Sequence, residues 1–482
     1  MIDTRPESGD AQVPLTPGMK IHLVGIGGAG ISAIARVLLG RGYSVTGSDQ
    51  QENDLTAALR KQGAVIYQGH QAEHIGDADL VVISSAIPAS NPEVVAAKAR
   101  NIPVLKRAGL LGQLMVGFVG IAVAGTHGKT TTTGMITQIM LAAKLDPTVI
   151  VGGVLPALGT NGRHGAGKYF VIEADEYDRM FLGLRPQLIV VTNLEHDHPD
   201  IYPTMAEYTE AFQGFVGLLP DGGHLIACND DPELVVWLSQ LSLAGVKMTS
   251  YGIADEGSDS AVADVQALDC RPNPLGGTDF LVKHGDKMVG LARLRVPGLH
   301  NVRNALAAIV VALELGIEFP VIRQALADFG GIGRRFQQLG TVGGVTVIDD
   351  YAHHPTEIQA TLAAARERFP GRRLWAVWQP HTYSRTKLLL DKFAASFDDA
   401  DRVIVLDIYR SREENTLDMD PEVVLQAMRH ANAVHVAGHQ QAASYILDRL
   451  LPDDVILTLS AGDGNKVGQQ ILDGLKMRFG EE

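Results

Sequence analysis

The residues with the clearest chemical potential form one run, Gly125-Thr126-His127-Gly128-Lys129-Thr130-Thr131. A short apolar stretch, Ile121 to Ala124, precedes it and reads as a buried strand. Met135, Ile136, Ile139 and Met140 follow at helical spacing. A glycine loop between a strand and a helix start is a cradle for phosphate, because backbone N–H groups converge there and the helix dipole favours an anion. Lys129 is placed to reach the β- and γ-phosphates of a nucleotide, and the Thr130 hydroxyl to hold Mg²⁺. The usual G-x-x-x-x-G-K-[ST] pattern asks for glycine at Val123, and this chain has none there. On these residues alone, a tight turn capping an ordinary helix stands beside the nucleotide reading.

Two acidic runs follow. Glu173-Ala174-Asp175-Glu176 comes directly after the apolar stretch Tyr169 to Ile172. An acid in that place holds nucleotide-bound Mg²⁺ in many P-loop proteins. Glu195-His196-Asp197-His198-Pro199-Asp200 comes after a strand-like Leu188 to Thr192. Imidazole suits transition metals and Mg²⁺ prefers oxygen, so zinc is the rival ion by composition. The H-x-H pair lacks a further Cys or His at zinc-site spacing. His300, Asn301 and Asn304 share one face at the start of a helical pattern that runs to Leu315, where asparagine also serves as a cap. In the last third, Asp350, Tyr351, His381 and Arg385 fall at strand ends, and Asp463 lies in a similar glycine loop.

An earlier glycine loop, Gly25-Ile26-Gly27-Gly28-Ala29-Gly30, sits between a strand (Lys20 to Val24) and a helix, with Asp49 about twenty residues on. It predicts a dinucleotide-type fold whose backbone approaches a pyrophosphate. NAD, FAD and a UDP-sugar all carry one. His70, Ser85 and Arg107 follow further strand-like stretches, where open parallel sheets bind ligands.

The elements that position these residues alternate strand and helix through most of the chain. The expected class is α/β with three domains: a Rossmann-like amino-terminal sheet over 1–115, a central P-loop ATPase domain over 116–332, and a carboxyl-terminal doubly wound domain over 333–482. Gly330 to Gly333 reads as a hinge between the last two. A formal charge of −14 argues against a broad footprint on nucleic acid or anionic membrane. Two cysteines, Cys228 and Cys270, are too few for a disulfide framework. Met1 to Gln12 has no apolar core of a signal peptide, and no long uncharged apolar run appears. A cytoplasmic location is expected.

Taken in order, the motifs G-I-G-G-A-G, G-T-H-G-K-T-T, E-A-D-E, T-N-L-E-H-D-H-P-D, H-N-V-R-N-A, R-R-F-Q and D-D-Y-A-H-H-P resemble the Mur ligases over nearly the whole chain. These are the ATP-dependent amide-forming enzymes of bacterial peptidoglycan assembly. D-D-Y-A-H-H-P and Q-P-H-T-Y-S-R-T resemble the alanine-adding branch in particular. The resemblance implies UDP-N-acetylmuramate, L-alanine and ATP as substrates, and Mg²⁺ at two sites with Mn²⁺ as the alternative ion. It implies that Gly125, Thr126, His127, Gly128, Lys129, Thr130, Thr131, His300, Asn301, Asn304, Arg335 and Asp350 bind ATP. By the same token Thr130, Glu173 and His198 hold metal, with Lys129, Glu173 and His198 catalytic. The first loop is reassigned to a UDP-sugar, bound by Gly25, Gly27, Gly28, Gly30, Asp49, His70, Ser85 and Arg107. Tyr351, His381 and Arg385 fall to the amino acid. Sister ligases carry a carbamylated lysine that the stretch Tyr208 to Gln213 lacks, so no carbamate is expected. The alternatives are a murein peptide ligase of the same family and, in another class, a nicotinamide-dependent oxidoreductase.

Overall fold

The computed structural model describes residues 13–254 and 262–480. The expectation drawn from Met1 to Gln12 lies outside them. The first sheet has five parallel strands, β1 (Lys20–Val24), β2 (Ser44–Asp49), β3 (Val65–Gln68), β4 (Leu80–Ile83) and β5 (Val104–Lys106), in the order β3-β2-β1-β4-β5. The central strand β1 feeds the first glycine loop. The chain runs outward through β2 and β3 on one side of β1 and through β4 and β5 on the other, which makes the end of β1 the switch point of the sheet.

The second sheet has ten strands. They are β6 (Val119–Ala124), β7 (Thr148–Leu155), β8 (Thr160–Arg163), β9 (Tyr169–Glu173), β10 (Leu188–Val191), β11 (His224–Cys228), β12 (Lys247–Ile253), β13 (Val265–Pro272), β14 (Thr278–His284) and β15 (Lys287–Arg293). Their order is β15-β14-β13-β12-β11-β10-β6-β9-β7-β8. The core is parallel, and two antiparallel parts extend it: the β7/β8 hairpin at one edge and the β13 to β15 meander at the other. β6 is buried on both faces apart from its first residue, as its apolar run requires, and it lies between β9 and β10. The two acidic runs therefore leave the sheet on either side of the phosphate loop.

The third sheet joins β16 (Gln337–Val342), β17 (Val345–Asp350), β18 (Leu374–Trp378), β19 (Arg402–Val405), β20 (Ala433–His435) and β21 (Val455–Leu459) in the order β16-β17-β21-β18-β19-β20. Only β16 runs antiparallel. Asp350 ends β17, and the Gln379 to Arg385 segment follows β18.

The first two sheets share one continuous apolar core, from Ile21 to Ile332. The third sheet has its own core layers, one on each face. It meets the central sheet through Gly330 to Gly333, where Ile332 is buried and the Gly333 N–H donates to the Val154 carbonyl at 3.1 Å. Among the described residues no helix is long and apolar enough to cross a membrane.

Candidate active site

The phosphate loop is held shut by its own residues. Lys129 begins the helix Lys129–Ala142, and its Nζ donates to the Gly125 carbonyl (2.6 Å), the Thr126 carbonyl (3.0 Å) and Glu176 Oε1 (2.9 Å). Gly125 (φ +126°) and Gly128 (φ +81°) take conformations that L side chains avoid. A Cβ on Gly125 would also collide with Thr192, and one on Gly128 with the Asn304 amide. Both glycines are thus required by the turn and by the close approach of a neighbour. The Thr126 hydroxyl donates to the Glu195 carbonyl at 2.7 Å and lies 3.0 Å from the Tyr208 hydroxyl.

Beside the loop, Thr130 Oγ1 donates to Glu173 Oε1 at 2.8 Å, and the Gly152 N–H donates to Glu173 Oε2 at 2.6 Å. Burial raises the Glu173 carboxyl, against the pull of Lys129. Glu176, in the sequence one acid of a run, is 1% exposed. Its Oε1 meets Lys129 and lies 3.5 Å from His198 Nε2, while its Oε2 is buried without a partner. Two carboxylates, a hydroxyl and an imidazole thus line one cavity, and one Glu176 oxygen has no hydrogen-bond partner. That donor set fits a hard, oxygen-preferring cation such as Mg²⁺.

The dense second run disperses. Glu195 turns to His127, His196 Nε2 to the Tyr202 carbonyl (2.7 Å), Asp197 to Arg385, His198 to Glu176, and Asp200 to the Tyr177 hydroxyl (3.0 Å). His196 is therefore spent on its own loop, and the H-x-H pair is no joint ligand set.

A cavity of about 360 Å³ opens behind the loop, lined by His127, Gly128, Thr131, His300, Asn301, Asn304, Arg335 and Asp350 among others. Asn301 is not a helix cap, since Gly298 holds that position; its amide donates to the Pro297 carbonyl at 2.7 Å. Asn304 accepts from Thr132 Oγ1 at 3.2 Å and donates to Asn301 Oδ1 at 3.2 Å. Burial, with Arg303 nearby, pulls His300 down to about 4, so the ring is neutral. Asp350 accepts from the Phe336 and Ala352 N–H groups, both at 2.7 Å, and burial pushes it up to about 6.

A larger cavity, about 1180 Å³, is lined from all three sheets. Gly30 and Arg107 come from the first, Thr126, Lys129, Thr130, Glu173 and His198 from the second, and Tyr351, His381 and Arg385 from the third. Arg107 Nη2 crosses to Asp175 Oδ2 at 2.6 Å. Arg385 Nε reaches Asp197 Oδ1 at 2.8 Å, and its Nη1 lies 3.0 Å from His381 Nδ1. Arg335 stacks over Tyr351.

The other residues expected for the sugar nucleotide stay at the end of the first sheet, outside the lining of this cavity. Asp49 Oδ2 accepts from the Gly27 N–H at 2.8 Å, so that carboxylate closes the glycine loop. His70 Nδ1 lies 3.0 Å from Ser48 Oγ and 3.3 Å from Glu93 Oε2. Ser84, one residue before Ser85, brings its hydroxyl against Gly25. Asp463 binds Gln379 Nε2 at 2.9 Å and stands in neither cavity lining.

Three family models match in succession: the Mur ligase family catalytic domain over residues 20–119, the Mur ligase middle domain over 123–312, and the Mur ligase glutamate ligase domain over 334–462. The chain belongs to the Mur ligase family. Among curated relatives in it, the UDP-N-acetylmuramate–L-alanine ligase of Acidobacterium capsulatum is 43% identical over 460 residues, covering 95% of this chain and 98% of that one. The enzyme of the same name from a Geobacter species is 44% identical over the same length, with the same coverage. Among solved Mur ligase structures, UDP-N-acetylmuramate–alanine ligase from Thermotoga maritima superposes with a TM-score of 0.81 at 28% identity, covering 95% of this chain and all of that one. A murein peptide ligase from Psychrobacter arcticus gives 0.72 at 28% identity, covering 95% and 99%.

Proposed function

We propose that this Mur ligase is a cytoplasmic enzyme joining L-alanine to the carboxylate of UDP-N-acetylmuramate, with ATP converted to ADP and phosphate. The observation that carries the reading is the larger cavity, which gathers first-loop, phosphate-loop and third-sheet residues around one space. The names of the relatives agree with it. The murein peptide ligase reading is second, on its lower structural similarity. The nicotinamide reading gives the loop Gly125 to Thr131 no task.

In this reading the domains divide at 1–115, 116–332 and 333–482. A carboxylate does not react with an amine at neutral pH, because its leaving group is oxide. The substrate carboxylate oxygen attacks the γ-phosphorus, and ADP leaves. The amine of alanine then attacks the acyl carbon, phosphate leaves with the carboxylate oxygen, and the amine gives up a proton. The first step brings together two anions, so positioning and charge compensation supply most of the catalysis. Lys129 exchanges its loop carbonyls and Glu176 for phosphate oxygens. The loop N–H groups hold the same phosphates, and His300, Asn301, Asn304, Arg335 and Asp350 enclose the nucleoside side. Thr130, Glu173 and His198, with Glu176, would hold one or two Mg²⁺ ions, or Mn²⁺. When bound, such ions supply charge neutralisation between carboxylate and triphosphate. Arg385 takes the alanine carboxylate. Burial holds His353 at about 4 and His381 at about 2, so the rings beside it carry no charge to repel the ammonium group.

The test is phosphate release from ATP with UDP-N-acetylmuramate and a panel of acceptors. L-alanine alone among single amino acids and the murein tripeptide should support it at full rate. Release that demands the tripeptide would move the chain to the second reading.

A further inference from the structure

His127 of the phosphate loop, Glu195 after β10 and His354 before the helix Pro355–Arg368 converge where the central and carboxyl-terminal domains meet. We propose that these three side chains form a zinc-class divalent cation site that pins the two domains together. The observation is independent of the substrate assignment above.

His127 Nε2 lies 3.1 Å from Glu195 Oε2, and His354 Nδ1 lies 3.6 Å from the same oxygen. One potential ligand atom from each residue lies within 4.8 Å of the other two. Ligands of a tetrahedral zinc ion at ~2.0–2.1 Å are about 3.3 Å apart, so the measured separations are already near a tetrahedron's edge. The side chains of His127, Glu195 and His354 are 13%, 24% and 0% exposed, which shields them from competing water.

His127 Nδ1 faces Glu357 Oε1 at 3.2 Å. Against the pull of burial, Glu195 and Glu357 on either side raise His127 to about 9, so the Nε2 proton is what an incoming cation displaces. Glu357 then plays the outer carboxylate that orients a metal-bound imidazole. Glu195 is steadied by Thr356 Oγ1 at 2.6 Å and Lys392 Nζ at 3.1 Å. His354 Nδ1 accepts from the Thr356 N–H at 3.4 Å, and its Nε2 is buried with no hydrogen-bond partner. Three protein ligands leave a fourth position for water or an anionic oxygen. The Mg²⁺-type donors beside Lys129 are mostly oxygens; this set is two-thirds imidazole and selects the softer ion. The second histidine comes from elsewhere in the fold, which is why H-x-H spacing did not reveal it.

The test adds one equivalent of Co²⁺ or Zn²⁺ to metal-free full-length protein in excess Mg²⁺. Wild type should bind one ion, and Co²⁺ should give the intense visible bands of four-coordination. His354→Gln and Glu195→Gln should each lose those bands and weaken Zn²⁺ binding at least tenfold. Thermal melts without added metal report whether each variant folds, and Glu195→Gln carries the test if His354→Gln does not. Zn²⁺ should also slow turnover in wild type, because it ties one domain to another, and should leave the variants unaffected. A six-coordinate Co²⁺ spectrum in wild type, or unchanged affinity in a folded variant, overturns the proposal.

Discussion

Asp197 and Arg385 meet across the domain junction with 5% of each side chain exposed. Burial would raise the Asp197 carboxyl, yet His198, Arg385 and the nearby histidines hold it well below its usual range. The pair therefore stays charged, and only part of the guanidinium is committed, through Nε to Asp197 and Nη1 to His381. The remaining donors are free for a second carboxylate, which arginine binds in a bidentate fork. Arg385→Ala should raise KM for alanine at least tenfold and change KM for ATP less; unchanged alanine kinetics would remove Arg385 from the site. Stability should fall as well, by about 3–5 kcal/mol, because Asp197 is left buried and unpaired. Arg385 stood out in the sequence at a strand end, and Asp197 only as one acid of a dense run. Their pairing did not, because it spans 188 positions.

At the scale of the element, Glu93 opens the helix Pro92–Ala99 and ties together parts of the first domain that are far apart in sequence. Its side chain is fully buried and accepts from Ser48 Oγ at 2.6 Å, with His70 Nδ1 at 3.3 Å, His74 Nδ1 at 3.1 Å and His22 Nε2 at 3.7 Å. Burial pushes its carboxyl up, but His22, Ser48 and His70 outweigh that and bring it from 4.5 to about 2. A depressed carboxylate stabilises the fold above its unfolded value and loses that contribution as pH falls. The contribution is about 3 kcal/mol near pH 7, and it fades from pH 4.5 towards 2. Glu93→Gln should lower Tm at pH 7, and the difference from wild type should narrow as pH falls through that window. A constant difference would contradict the assignment. Nothing in the sequence marked Glu93, because its partners come from β1, β2 and the loop after β3. The strands were legible where both faces are buried: β18 and β21 follow their apolar runs residue for residue. β7 and β8 were not, because Gly152-Gly153 and Asn161-Gly162 break any apolar run, and β12 begins on exposed Lys247 and Met248. Glu176 was hidden for another reason. Its burial depends on the turn after it, where Asp178 and Arg179 take positive φ of 55° and 53°.

At the scale of the molecule, the amino-terminal and central domains form one apolar body, and the third is joined to it largely by polar contacts at the site. Hydrogen bonds and ion pairs with polar partners are exchanged at lower cost than a continuous core is opened, so motion should separate the third domain from the other two. In the proposed reaction the two glycine loops serve different anions. Lys129→Ala should therefore abolish ATP-dependent phosphate release and leave UDP-N-acetylmuramate affinity within about threefold, as read by calorimetry; equal loss of both would contradict the division of labour. The most direct test of the chemistry follows oxygen. With ¹⁸O in the carboxylate of UDP-N-acetylmuramate, ATP and L-alanine, one labelled oxygen should appear in the released inorganic phosphate and one should remain in the amide. Phosphate free of label would show that the carboxylate is never phosphorylated, and the proposed reaction would fall.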